Sequence, residues 1–432
     1  MREMKDSGVE WIGEIPIEWD IIKCKYVSNL YTGNSIKDEN KSFYEDSTNA
    51  VPYIATKDID VIFNTINYEN GLYIKNNDDS FVRANKNDIL MCIEGGSAGR
   101  KKARVDKTVC FINKLCCFHP LKIDSLFLYY LLNSPHYEKE FRFNISGLIG
   151  GVSKSKLMNF IFPYPLLEEQ QKISAYLDDK CTKIDSMIEK QQKIIDKLKE
   201  YKQSIITEAV TKGLNLDVKM KNSGIEWIGK IPENWNIGKI SYFFEIQLGK
   251  MLQPNKKHET DTLENYLCAL NVGNNKIKLS PLKQMWFSVS EKEIYSLRAG
   301  DLLVVEGGDI ASCDIICCDL NNTFFQNALH RVKAKQNCDL RILKYFLWFA
   351  KSIGHIDLIC NKATIAHFSK EKFLSLPYIV MNINQQQQIA DYLDKKCSAI
   401  DSAIEKKQAI IEKLQEYKKS LIYEVVTGKK EV

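Results

Sequence analysis

Between residues 168 and 213 apolar side chains recur in alternating steps of four and three: Leu177, Cys181, Ile184, Ile188, Ile195, Leu198 and Ile205. Gln191 and Lys202 interrupt this seam. Met187, Ile194 and Tyr201 stand beside it and widen it into a stripe, while Lys and Glu fill the other faces. The spacing predicts one long amphipathic helix packed in coiled-coil fashion on a partner. At 1.5 Å per residue, about 40 residues make a rod of roughly 60 Å.

The same pattern returns over residues 387–427. Leu393, Cys397, Ile400, Ile404, Ile411, Leu414 and Leu421 form the seam, Lys407 and Lys418 break it, and Ala403, Ile410 and Tyr417 lie beside it. Tyr176-Leu177-Asp178 matches Tyr392-Leu393-Asp394, an offset of 216. A second segment shares that offset. Ser7-Gly8-Val9-Glu10-Trp11-Ile12-Gly13-Glu14-Ile15-Pro16 with Trp19 reappears as Ser223-Gly224-Ile225-Glu226-Trp227-Ile228-Gly229-Lys230-Ile231-Pro232 with Trp235. One offset for two segments means a tandem duplication of a unit half the chain long, so each helix has its copy as the nearest candidate partner. The tryptophans bracketing a Gly-x-Ile-Pro bend predict a structural clamp.

Between clamp and helix each half holds an insert, residues 20–165 and 236–377. Short β-branched and aromatic runs (51–55, 88–93, 108–112) alternate with Asn/Asp/Gly turns, and helical runs follow at 126–132 and 340–350. This texture predicts an α+β fold, mixed in each half and without regular βαβ alternation. The inserts share a faint skeleton. Asp88-Ile89-Leu90 answers Asp301-Leu302-Leu303, Glu94-Gly95-Gly96 answers Glu306-Gly307-Gly308, and Ser153-Lys154 answers Ser369-Lys370. Prolines at 163, 165 and 377 close the inserts. Asn384 with Gln387 is a candidate capping pair for the second helix, and Gly213 and Gly428 stand where helices stop.

With 432 residues, two or three domains are expected. A net charge of +5 permits a nucleic-acid partner without requiring one. The first residues lack the apolar core of a secretory signal, and no apolar run reaches the roughly 20 residues that span a bilayer. Thirteen cysteines, mostly in apolar runs, read as reduced thiols and point to a cytoplasmic protein. Cys313 with Cys317-Cys318 lacks zinc-ligand spacing, so no metal is expected.

Signatures of catalysis are missing. The sequence has no Pro-Pro pair of an amino-methyltransferase motif and no Gly-x-x-x-x-Gly-Lys-Ser/Thr phosphate cradle. Such a chain binds rather than catalyses. Residues 83–114 suggest what it binds. Gly95, Gly96 and Ser97 form a turn that backbone phosphates could approach, with Arg100, Lys101, Lys102, Arg104 and Lys114 supplying charge. Arginine also reads guanine edges. In the second half Gly307 and Gly308 are followed by Asn327, His330 and Arg331. Ser153, Lys154, Ser369 and Lys370 are further candidate phosphate contacts, or ordinary helix-start residues.

The two clamps, with Pro165-Leu166-Leu167-Glu168-Glu169-Gln170-Gln171-Lys172-Ile173-Ser174-Ala175-Tyr176-Leu177-Asp178 and Asn384-Gln385-Gln386-Gln387-Gln388-Ile389-Ala390-Asp391-Tyr392-Leu393-Asp394, resemble the specificity subunits of type I restriction–modification systems. The likeness runs through the whole chain in order; Gln stands in the second copy where the family commonly has Glu. The resemblance implies a first target-recognition domain at 1–165, a helix at 166–214, a second recognition domain at 215–380 and a C-terminal helix at 381–432. It further implies antiparallel helices in a pseudo-two-fold arrangement that space two readers of a bipartite double-stranded DNA target. Methylation of adenine and ATP-driven cleavage would then fall to two modification subunits and to restriction subunits. Those partners would carry S-adenosylmethionine, ATP and magnesium, leaving this chain without a cofactor. The competing reading is a coiled-coil scaffold whose two heads bind proteins and read no DNA.

Overall fold

The computed structural model describes residues 2–432 apart from 147–149, 216, 274–275, 336 and 361–366. The chain forms two compact units, Met1–Lys193 with Lys407–Val432, and Ile194–Lys406. Both long helices, Leu167–Lys212 and Ile383–Val426, are continuous and give their two ends to different units.

The first unit contains two sheets over one core. In the antiparallel sheet the strands run in the order Ser28–Thr32, Leu115–Pro120, Ile89–Cys92, Lys102–Arg104. The mixed sheet has the order Tyr73–Lys75, Ala50–Ile54, Val109–Phe111, Arg83–Ala84, with the middle pair parallel. Leu90, Cys92, Phe111, Leu115 and Ile54 pack together in this core. Strand Ile89–Cys92 is buried at all four positions, which is why its sequence is an unbroken apolar run rather than an alternation. The helix Ser125–Leu132 and the strand Asp20–Lys23, paired with Ile161–Tyr164, complete the head.

The second unit repeats this plan. Its antiparallel sheet has the order Phe244–Leu248, Leu329–Ala334, Leu302–Val305, Cys313–Ile315. Its mixed sheet has the order Lys283–Phe287, Thr262–Leu267, Thr323–Phe325. The fold is therefore α+β, built twice. One shared feature escaped the sequence reading: Gly33 and Gly249, also 216 apart. A Cβ at Gly33 would lie 1.8 Å from Phe111 O, and at Gly249 2.2 Å from Gln326 O, so glycine is obligatory where the two strands pass.

In both units the helices pair antiparallel. In the first, Trp19 joins the start of one helix (Nε1 donating to Glu169 at 2.9 Å) to the end of the other (Gly428), while Lys418 Nζ meets Asp185 at 2.7 Å. In the second, Lys202 Nζ meets Asp401 at 2.7 Å, and Trp235 lies against Gly213 while donating to Gln385. The 216-residue offset converts one ion pair into the other. Lys202 and Lys418, which interrupt the apolar seam, thus set its register. Lys418→Asp is expected to destabilise the first unit by about 1 kcal/mol, with most of the loss recovered by adding Asp185→Lys. Urea unfolding of the four proteins of this double-mutant cycle measures it; purely additive effects would contradict a register role.

The seam residues Leu177, Cys181, Ile184, Ile188 and Ile195 are buried, as are Leu393, Cys397, Ile400, Ile411 and Leu421. The widened stripe requires correction. Met187 (51% exposed), Ile194, Tyr201, Ile410 and Tyr417 lie outside the seam, because an antiparallel pair covers only the narrow a/d face of each helix. A second correction concerns the cap. The second helix starts at Ile383, and Asn382 rather than Asn384 accepts from a first-turn amide, Gln385 N at 2.9 Å. Gly213 and Gly428 do follow the helix ends, with φ of 79° and 73°.

Each clamp is a β-hairpin, Met4–Asp6 with Glu14–Pro16 and Met220–Asn222 with Lys230–Pro232. Trp19 and Trp235 beside them are fully buried.

Candidate nucleic-acid interface

In the first unit the turn after strand Ile89–Cys92 is held by Gly99 N to Cys92 O (2.8 Å) and Ala98 N to Gly95 O (2.9 Å). Gly95 N donates to Gly150 O, Ile93 N to Lys114 O, and Val152 N to Ile93 O. These bonds bring Gly95, Gly96, Ser97, Lys114, Ser153 and Lys154 to one edge of the head. Among the described residues nothing lies within 4 Å of a Cβ built on Gly95 or Gly96, so their backbone is approachable. Gly99 is different: a Cβ there would lie 2.4 Å from the Phe141 ring, so that glycine serves internal packing.

The basic run 100–104 does not form one patch. Arg100 is exposed and donates to Gly96 O at 2.5 Å. Lys101 is half-buried with Nζ on Thr56 O, and Arg104 is half-buried on Asn87 Oδ1. Lys102 is corrected outright as a DNA contact. It is fully buried, opposite Met91 in the sheet, and its Nζ pairs with Glu138 at 2.9 Å. Burial pushes its pKa down while Glu138 opposes that shift. Alternation along a strand sends neighbouring side chains to opposite faces, which a charge count along the sequence ignores.

The second unit answers with Glu306 N on Ala328 O, Phe368 N on Glu306 O, and a bridge from Gly307 to His367. Since Val152 meets Ile93 where Phe368 meets Glu306, the structural partner of Glu94 is Gly307, not Glu306. The Glu-Gly-Gly matches are thus one residue out of register. Among the described residues nothing lies within 4 Å of a Cβ built on Gly308 (φ 99°), Asn327 is half-buried with its N–H on Lys250 O, and Lys370 is partly exposed.

His330 and Arg331 are also corrected. His330 is fully buried, Nε2 donates to Phe368 O at 2.8 Å, and burial lowers its pKa, leaving it neutral. Arg331 is buried over the Phe325 ring with Nη1 on Ser296 O at 2.5 Å, and burial lowers its pKa as well. Ser153 and Ser369 resolve as helix caps, accepting from Lys156 N and Lys372 N respectively.

A model of the type I restriction modification DNA specificity domain matches residues 16–200. The MjaVIII type I restriction enzyme specificity subunit of Methanocaldococcus jannaschii is 24% identical, across 96% of this chain and 93% of that one. The EcoBI specificity subunit of Escherichia coli is 21% identical, across 93% of this chain and 84% of its own length. A solved structure on complex assembly and conformational transition of the type I R-M system superimposes with a TM-score of 0.69 at 13% identity, across 95% of this chain and 98% of that chain. Residues 16–200 thus match the specificity-domain family, and nearly the whole chain is similar to type I restriction enzyme specificity subunits.

In this chain the repeated Gln-Gln stretches work inside each unit. Gln170 is fully buried, accepting from Asp124 N (2.8 Å) and donating to Pro165 O (2.8 Å). Gln386 does the same for Asp339 N (2.8 Å) and Met381 O (2.9 Å). Asp178 and Asp394 accept from Tyr130 and Tyr345. The Glu-to-Gln departure has a local cause as well. Glu169 accepts from Trp19 and also pairs with Arg2; Gln385 accepts from Trp235, and position 218, which answers Arg2, is valine. Where the arginine is missing, so is the carboxylate. These joints went unread in the sequence because their polar residues resemble solvent-facing helix residues until the head is placed against them.

Proposed function

We propose that this chain is the non-catalytic DNA-recognition subunit of a type I restriction–modification complex, each unit reading one half of a bipartite duplex target. One observation carries the two-reader reading. The joints that Trp19, Gln170 and Asp178 make between head and helix are repeated by Trp235, Gln386 and Asp394, while the inserts have diverged, as two readers of different sequences on one frame require. The modules follow residues 1–165, 166–214, 215–380 and 381–432. In this reading Gly95, Gly96, Ser97, Arg100, Lys114 and Lys154 of the first unit, and Gly308, Asn327 and Lys370 of the second, contribute backbone and charge toward phosphates. Nothing found supports the scaffold without DNA readout.

Chemistry belongs to partners. Modification subunits would bring S-adenosylmethionine, and restriction subunits ATP and magnesium. The apolar side chains outside the seam suit two copies of one partner, because Ile194 and Tyr201 answer Ile410 and Tyr417 by the same 216 offset. Work on chromosomal and incoming DNA places the chain in the cytoplasm; among the described residues no helix is long and apolar enough to cross a membrane.

The decisive test is salt titration of the assembled complex on its target duplex. Phosphate neutralisation predicts a loss of roughly 10³-fold or more in affinity between 50 and 200 mM salt, with scrambling of either half-site weakening binding separately. Affinity that is flat in salt and indifferent to both half-sites would sink the reading.

A further inference from the structure

In the second unit the strands Thr262–Leu267 and Lys283–Phe287 form an antiparallel ribbon at the edge of the mixed sheet. Its inward side chains Tyr266, Met285 and Phe287 fill a small core. The opposite face carries Leu263 across from Trp286 and Asn265 across from Gln284. Leu263 is 47% exposed, Gln284 is exposed, and Asn265 and Trp286 are half-buried. Gln284 Nε2 donates to Asn265 Oδ1 at 3.1 Å, and Lys256 Nζ lies 5.6 Å from the Trp286 ring centroid. No carboxylate stands among these four positions, since Glu264 points to the other side and pairs with Lys292.

We propose that this ribbon enters the DNA major groove and that Asn265 and Gln284 read an adenine there; the proposal rests on the DNA-recognition reading above. The major groove, about 12 Å wide, admits a two-stranded ribbon, and side-chain amides are the usual partners of adenine N6 and N7. With Gln284 Nε2 engaged by Asn265 Oδ1, the pair still offers Asn265 Nδ2 as donor and Gln284 Oε1 as acceptor, the complement of N7 and N6–H. Fixing each amide against the other sets the direction of both before DNA arrives. Leu263 and Trp286 supply apolar contact beside them, and Lys256 supplies charge toward a groove-edge phosphate.

The first unit supports assigning specificity to this face. Ladder register places Ala50, Pro52, Tyr73 and Lys75 at the positions of Leu263, Asn265, Gln284 and Trp286. The inward residue is tyrosine in both, Tyr53 and Tyr266, whereas all four opposite positions differ. Pro52 there is buried and Lys75 is held by Asp46 at 2.6 Å, so that ribbon offers no amide pair. The amide reader therefore belongs to one half-site.

Mapping methylated adenines across the genome of a host carrying the whole system tests this, using Asn265→Ala, Gln284→Ala, Gln284→Glu and the opposite-face control Thr262→Ala. The alanine variants are expected to lower methylation of the original target about 10- to 100-fold and to relax one half-site, leaving the other unchanged. Gln284→Glu keeps the side-chain shape, so it remains a test should an alanine variant fail to fold. It is expected to move the preference at that position toward cytosine, whose N4 donates to a carboxylate. Alanine variants that assemble with their partners and methylate an unchanged motif at the original rate would overturn the ribbon assignment alone. A parent protein yielding no two-part motif would instead overturn the recognition reading on which it rests.

Discussion

Glu138→Ala is expected to destabilise the first unit by about 3–5 kcal/mol at neutral pH, and by visibly less at pH 10. The substitution leaves the Lys102 ammonium fully buried without its carboxylate. Burial lowers the pKa of Lys102 in the folded protein below the value of about 10.4 of an unfolded chain. Between those two values the unfolded chain holds the extra proton, so raising the pH favours the folded state. The penalty is complete below the folded-state pKa and is progressively relieved up to the unfolded one. Lys102→Met should cost far less, because Glu138 is about a quarter exposed and keeps water when the lysine is gone. Urea unfolding of parent and both variants at pH 7 and pH 10 checks this. Equal losses for Glu138→Ala at the two pH values would mean that Lys102 is not the group responsible.

Trp19→Ala and Trp235→Ala should each cost about 3–5 kcal/mol, the range for emptying a fully buried aromatic site. The effects should stay within the affected unit. Trp19 covers Gly428 and bonds Glu169; Trp235 covers Gly213 and bonds Gln385. Hydrogen exchange should therefore quicken at residues 425–428 in the first variant and 209–213 in the second. Trp→Phe at either position keeps most of the packing and loses only the indole hydrogen bond, about 1 kcal/mol. Exchange that quickened equally at both helix ends in either variant would contradict this.

The long helices, their stops at glycine and the duplicated plan were legible because each leaves a periodic or repeated mark. The seam was legible to the residue, and Leu177, Cys181 and Ile184 are buried as their spacing requires. The proposed recognition surface was much less so. Residues 100–104 look like one basic patch, yet Lys102 faces the interior because strand geometry, not charge density, decides which way a side chain points. His330 and Arg331 are polar residues turned inward, beside the Phe373 and Phe325 rings, with backbone carbonyls as their hydrogen-bond partners. Asn265 and Gln284 left no mark at all, since their meaning comes from a cross-strand register between segments 19 residues apart.

The glutamine sockets bear on how such a protein changes its target over evolutionary time. Gln170 and Gln386 each grip the N–H of an aspartate that caps the helix of an otherwise diverged head. The grip depends on a main-chain group and on the aspartate fold that presents it, not on the residues that face DNA. Any incoming head whose helix opens on a capping aspartate brings the matching plug, so a gene can acquire a new word by recombination while its grammar stays intact.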